Sequence, residues 1–417
     1  MKSVAKKPLT LTLIFSNDYR PTSYMLKFAH LSLTEPAMKI VRVKAHAMSM
    51  KLDKVYWTSR GAWGTYNTIV VEVETDDGLI GLGTINKTPL KDIAEIVDAL
   101  GPVIKGMDAL AHEAVWDKIF NLTVPHLEAG KSDVTRPVYE QNKRVNLMAA
   151  LAGIDLALWD LKGKAFKLPM WRLLGGDRRE VAAYASGGYY EEGRSPLAVI
   201  DEMAGYAAQG YTAVKMKCGG ADIEGDIARI SGVRKAIGDK AQLMIDANGA
   251  YTLAYAERAI KAFEPYDIFW FEEPLQWHDA TRGLGRLAAC TRVPLASGES
   301  EIHSNIVRDQ IDLGDIRFVQ WDCTRAGGLT EGLRIAAYAM AHGVQIAYHH
   351  DPQIHGHLMA AQSHGYCVES FPSIPRDPFW HQVLTVKPKL EAGKLTLGDE
   401  PGFGFEVDWK MIERYKI

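Results

Sequence analysis

Two patterns of apolar spacing divide this chain, and they change over near Val181. Upstream, Met38–Met48 (MKIVRVKAHAM) alternates apolar and polar residues and reads as a first strand. Between Ile69 and Gly83 the run IVVEVETDDGLIGLG gives two β-rich stretches around Asp77-Gly78, a pair that supplies the positive φ of a tight hairpin. Helical periodicity follows at Lys91–Leu100 and Met148–Lys164, so this part reads as strands and then helices, an α+β layout. Downstream, short apolar runs recur with amphipathic stretches between them: VAAYAS, AVKMKC, QLMIDA, IFWFEE, PLASGE, RFVQWD, VQIAYH and YCVES. That alternation predicts an α/β barrel of about eight strands. The units share no repeated sequence, which argues against a solenoid.

Length and composition narrow the picture. The 417 residues exceed one ordinary core, which fits a large barrel with a satellite domain. With 47% hydrophobic residues, 24% charged residues and a net charge of -3, the chain carries no basic footprint for nucleic acid or an anionic membrane. Small molecules and further copies of itself are the expected partners. Cys218, Cys290, Cys323 and Cys367 lie far apart without a CxxC pair, as suits a reducing cytoplasm. Lys2, Lys6 and Lys7 before the apolar run Leu9–Phe15 resemble a signal peptide. The run is short and lacks a nearby small-x-small site, so residues 1–37 read instead as a poorly ordered extension.

Catalytic groups of a βα barrel sit at the C-terminal ends of its strands. Asp246, Glu272 and Glu299 each close one of the apolar runs, one repeat apart, and so should converge. A single acid there is most simply a helix cap or a surface ion pair, but three in register form an all-oxygen site suited to Mg²⁺. Glu272 is preferred to Glu273 because alternation turns the second glutamate away. Lys215 and Lys217 lie two apart on one strand and face the same way. Each should lower the other's pKa, leaving Lys217, nearer the strand end, as a neutral base. Across the ring, Asp322 and His349 close successive runs, and a carboxylate paired to an imidazole gives a second acid/base. His350 competes with His349, and one of the two should point outward. Glu369, held protonated, would hydrogen-bond the oxygen where charge develops; otherwise it is a salt-bridged rim acid. His355 and His357 suggest zinc by their HxH spacing, but they fall in a helical stretch.

The run AGIDLALWDLKGKAFKLPMWRLLGG (Ala152–Gly176), the KMK triplet, DANGAY, FEEP, SGES, the Asp322 and His349 pair and Glu369 resemble the mandelate racemase group of the enolase superfamily. The likeness runs over nearly all of Met38–Ile417. It implies a modified TIM barrel, (β/α)7β, over 181–370, an N-terminal α+β capping domain over 38–180, and a C-terminal segment over 371–417 that returns to the cap. It also implies Asp246, Glu272 and Glu299 as ligands of one Mg²⁺, Lys217 and the Asp322-assisted His349 as acid/bases, a small carboxylic acid as substrate, and a homo-oligomer. One related set carries a histidine two residues after the first metal ligand, where this chain has Asn248. The stretch Val55–Tyr66 resembles a mobile lid, in which Trp57 and Arg60 would meet substrate, with Tyr189, Tyr190 and His303 lining the pocket. Acid-sugar dehydration to a 2-keto-3-deoxy acid is the leading expectation. Racemisation of a 2-hydroxy acid is the second, and a binding protein without activity the third.

Overall fold

The computed structural model describes residues 38–123 and 141–417; the reading of residues 1–37 lies outside the described residues. Strands β1 (Ile40–Thr58), β2 (Gly61–Thr75) and β3 (Ile80–Ile85) form an antiparallel sheet, with β2 in the centre. The predicted hairpin is present, and Gly78 turns it at φ 84°. Helices α1 (Leu90–Ile104), α2 (His112–Phe120) and α3 (Arg144–Phe166) follow, completing an α+β layer. Close approach of α3 to the sheet depends on glycines on both partners, Gly81 and Gly83 on β3 and Gly153 on α3. A Cβ on Gly83 would lie 2.1 Å from the Gly153 carbonyl oxygen, and one on Gly153 would lie 2.6 Å from the Ile85 side chain. Helix α3 also anchors the other layers: Asp155 accepts from the Thr330 N–H and hydroxyl, and Asp160 accepts from the N–H groups of Leu82 and Phe403.

Eight parallel strands then close into a barrel in sequence order: β4 (Glu180–Gly187), β5 (Ala213–Lys217), β6 (Gln242–Asp246), β7 (Ile268–Glu272), β8 (Leu295–Ser297), β9 (Phe318–Trp321), β10 (Gln345–Tyr348) and β11 (Gly365–Ser370). Pairing of β11 with β4 closes the ring. An α-helix follows each strand from β4 to β10, whereas the next helical element after β11 is only a short π-helical turn, Phe379–Val383, so the architecture is (β/α)7β, a modified TIM barrel. All eight apolar runs of the sequence become strands.

Each strand sends one residue into an apolar plug that fills the barrel: Tyr184, Ala213, Met244, Trp270, Ala296, Phe318, Ala347 and Cys367, all buried. Large and small side chains share the layer, as a closed ring of eight requires. Toward the C-terminal mouth the next inward-facing positions are polar: Lys215, Glu272, Gln320 and Glu369, all fully buried. Period-two alternation thus places a charged layer directly on an apolar floor.

After β11 the chain adds an antiparallel ribbon, Lys389–Glu391 and Lys394–Thr396, to the outside of β4. It then returns to β1, where the Ser49 N–H donates to the Tyr415 carbonyl. A buried ion pair pins this segment to the mouth, His350 Nε2 lying 2.9 Å from Asp377 Oδ2. All four cysteines are thiols, and no helix among the described residues is long and apolar enough to cross a membrane.

Two stability measurements test these joints. Gly83→Ala should cost about 3 kcal/mol of unfolding free energy, because backbone and not a flexible side chain blocks the new methyl; a neutral result in denaturant titration would show that α3 can retreat. His350 is disfavoured as a cation by burial, but Asp351 and Asp377 outweigh this and raise its pKa from 6.5 to about 9. The stabilisation from its protonated form is therefore complete below about pH 6.5 and is lost as pH rises through about 9. Asp377→Asn should cost about 2 kcal/mol near pH 6, with the gap narrowing toward pH 10. A gap that ignores pH would assign Asp377 to its bond with the Trp380 N–H.

Candidate active site

Asp246, Glu272 and Glu299 end β6 and β7 and follow β8, and the fold brings them together. Each offers a carboxylate oxygen within 4.8 Å of the others, and all three are buried. Glu272 Oε1 has no hydrogen-bond partner. Burial, and then the crowding of Asp246, Glu299 and Glu369, push the Glu272 carboxyl well up against the pull of Lys215. Three buried carboxylates around a common point, with Glu299 Oε2 as well as Glu272 Oε1 lacking a hydrogen-bond partner, fit a hard dication. Asn248 supports the set: at φ 46° its N–H reaches Asp246 Oδ1 at 2.8 Å and its amide nitrogen reaches Oδ2 at 3.2 Å. Glu273, also at positive φ, stays out of the cluster but remains buried, held by Arg60 at 2.6 Å.

The two lysines behave differently from the expectation. Lys215 sits beneath the triad, with its Nζ 2.8 Å from Glu272 and 2.9 Å from Glu369 and its charge over the Tyr184 ring. Lys217 reaches the cavity and ion-pairs with Asp246. Burial opposes both charges, yet Glu272 and Glu369 around Lys215, and Asp246 beside Lys217, hold both ammoniums above the ordinary range. Mutual repulsion is the weaker effect because each lysine has an acid closer than the other lysine's charge can offset. Glu369 is corrected in the same way. Burial favours its protonated form, but Lys215 and His349 hold it ionised, down to about 2.

His349 follows β10 three strands from β5 by the shorter way round the ring, so it faces Lys217 across the mouth. Its Nδ1 lies 2.7 Å from Asp322 Oδ2, and its Nε2 lies 3.1 Å from Glu299 and 3.5 Å from Glu369. Asp322 is held below the usual carboxylate range against its burial, His349 being the main cause. His350 does not point outward. A left-handed φ of 52° turns it to Asp377 and to the Asn86 amide at 2.5 Å, so it too borders the cavity. His355 accepts from the Cys323 N–H and faces the His350 carbonyl, and His357 bonds the Trp171 N–H, which are structural contacts.

Above these groups lies a cavity of about 460 Å³ whose lining includes Lys217, His349, Tyr189, Asn248 and Arg60. Val55–Tyr66 is no free loop: it is the paired tip of β1 and β2, with Trp57 opposite Ala62. Arg60 is committed to Glu273, Ser300 and the Asn248 carbonyl. Trp57 pairs by backbone with Tyr190, whose hydroxyl donates to Asp226, and neither residue lines the cavity. His303 caps the helix Ser304–Asp312 by accepting from the Asn305 N–H and is also outside it. The sequence reading missed Arg325, which holds Glu299 at 3.2 Å, and the cavity residues Asn86, Lys87 and Arg376. Arg325 could have been found, since it lies three residues beyond Asp322 in the same strand-end loop.

Comparison with known proteins agrees with this architecture. The mandelate racemase/muconate lactonizing enzyme N-terminal domain matches residues 40–175, and the enolase C-terminal domain-like family matches residues 198–411. An arabinonate dehydratase of Saccharolobus solfataricus is 29% identical over 84% of this chain and 90% of its own length. A D-galactarolactone cycloisomerase of Agrobacterium fabrum is 30% identical over 91% and 99%. A solved mandelate racemase/muconate lactonizing enzyme from a marine actinobacterium, in complex with magnesium, superposes with a TM-score of 0.78 at 35% identity, over 91% of this chain and 99% of that one. With both domains matched and likeness sustained along almost the whole described length, the chain belongs to the mandelate racemase/muconate lactonizing enzyme family of the enolase superfamily.

Proposed function

We propose that the chain is a Mg²⁺-dependent hydro-lyase that removes the proton α to the carboxylate of an aldonic or aldaric acid and eliminates water, giving a 2-keto-3-deoxy acid. One observation carries the reading: Lys217 and His349 face each other across a buried triad of carboxylates and line the same cavity. Dehydratases and a cycloisomerase among the relatives support the substrate class.

Asp246, Glu272 and Glu299 would hold the ion, which supplies the positive charge against which negative charge building on the substrate carboxylate is stabilised. Asp246 is what keeps Lys217 protonated, so engaging that carboxylate elsewhere releases the amine to take the α-proton. His349, oriented by Asp322 through Nδ1, presents Nε2 to the other face and donates a proton to the departing hydroxyl. Lys215 keeps Glu272 and Glu369 in place from below. Selection among acids falls to the N-terminal layer, 38–180, which covers the mouth. A second reading, racemisation of a 2-hydroxy acid, is favoured by the same opposition of two acid/base groups, since inversion needs one on each face.

Incubation with Mg²⁺ and a panel of acid sugars should give a 2-keto product from at least one, and Lys217→Ala and His349→Asn should each lower kcat about 10²–10⁴-fold. Deuterium uptake from solvent with inversion and no loss of water would replace dehydration by racemisation. Glu272→Gln should weaken Mg²⁺ binding in calorimetry at least about tenfold; unchanged affinity would remove Glu272 from the ligand set.

A further inference from the structure

The cations lining the cavity divide into those with a carboxylate partner and those without. Arg60 is paired with Glu273, Arg325 with Glu299 and Lys217 with Asp246. Lys87, two residues past β3, forms no hydrogen bond or ion pair among the described residues. Arg376 has no carboxylate partner either, but three aromatic rings surround it, Phe371 at 4.2 Å, Tyr189 at 5.0 Å and Trp63 at 5.6 Å, and its Nη2 donates to the Tyr189 hydroxyl. Its charge is therefore partly met by π faces. That leaves Lys87 as the lining cation with neither a carboxylate in ion-pair contact nor an aromatic ring over it among the described residues.

We infer that Lys87 grips a second anionic group of the substrate, a terminal carboxylate, so that the preferred substrate is a dianionic acid sugar, an aldarate, over the matching aldonate. The inference rests on the proposed function, which places the reacting carboxylate at the floor beside the triad. Lys87 belongs to the N-terminal layer and lines the same cavity as Lys217 and His349, so a second anionic group of a substrate held at the triad would come within its reach. The neighbouring charges sharpen the argument. Burial, and then Arg325, pull its pKa down to about 8 against the opposing pull of Asp322 and Glu299, with Arg60 adding to the fall, so the net field on the ammonium is one that an incoming anion would relieve. A cavity of about 460 Å³ accommodates a six-carbon acid, and Asn86 and Thr88 flank Lys87 with polar groups suited to hydroxyls.

The test compares wild type, Lys87→Met and Arg376→Lys, loaded with Mg²⁺, on six-carbon aldarates, matching aldonates and aldonates phosphorylated at the terminal hydroxyl. Both kcat/KM and calorimetric affinity are read. Wild type should prefer aldarates, and Lys87→Met should lower their kcat/KM and affinity about 10–100-fold, chiefly through KM, with a much smaller loss on aldonates. Equal losses on both classes would mark Lys87 as structural and overturn the inference. So would a loss of aldarate preference in Arg376→Lys with Lys87→Met retaining it. Preference for the phosphate ester over both other classes would overturn the terminal carboxylate. If no acid of any class is turned over, the proposed reaction fails, and the calorimetric comparison still decides this inference: equal affinity of wild type for mono- and dianions would end it.

Discussion

Buried charge standing on a dry floor is the constraint from which the rest of this molecule follows. The apolar plug, one side chain from each barrel strand, excludes water from below, so the fully buried charged groups standing directly on it must find their countercharge inside the protein. Lys215, completely buried, meets that requirement for Glu272 and Glu369 at once. Removing either acid would leave an ammonium with half its compensation, and removing the lysine would leave two carboxylates facing each other, the costly way to break a buried network. The triad oxygens above remain crowded by like charge, and their demand for positive charge is a property of where the strands end.

Most of the architecture was legible because strands advertise themselves by period and turn residues. The eight barrel runs and the Asp77-Gly78 hairpin needed nothing beyond local sequence. Convergence of Asp246, Glu272 and Glu299 was legible for a related reason: once the runs are strands of one parallel barrel, their last residues share a rim. The period fails one residue later. Asn248, Glu273, His350 and Asp351 all take positive φ, at 46°, 39°, 52° and 44°, and no alternation rule survives a left-handed residue. For that reason His350 turned inward where alternation predicted one of the two histidines outward.

Signs of pKa shifts were the least legible property. Two lysines two residues apart are visible in the sequence as like charges, whereas the acid that governs Lys215 lies 57 residues away on β7. Electrostatic environment is a property of the folded rim, and the nearest charge in space is seldom the nearest in sequence. Glu369 shows the same rule with opposite sign: in isolation, burial argues for a protonated acid, and the Lys215 ammonium at 2.9 Å, reinforced by His349, reverses it.

Pairing also decides which cavity residues are free to read a ligand. A sequence shows that Arg60 sits near a hairpin tip, and a cation there invites the role of clamp. In the fold its guanidinium spans to Glu273, Ser300 and the Asn248 carbonyl, which ties the tip of the N-terminal sheet to the strand ends of β6 and β7. Such a tie fixes the height of the roof over the triad, and a residue that fixes the roof cannot also follow a substrate. Arg325, bonded to Glu299, does the corresponding work on the other wall. The division is physical rather than compositional: each guanidinium satisfied by a protein carboxylate has exchanged recognition for rigidity, and specificity falls to whichever charge the scaffold leaves unspent.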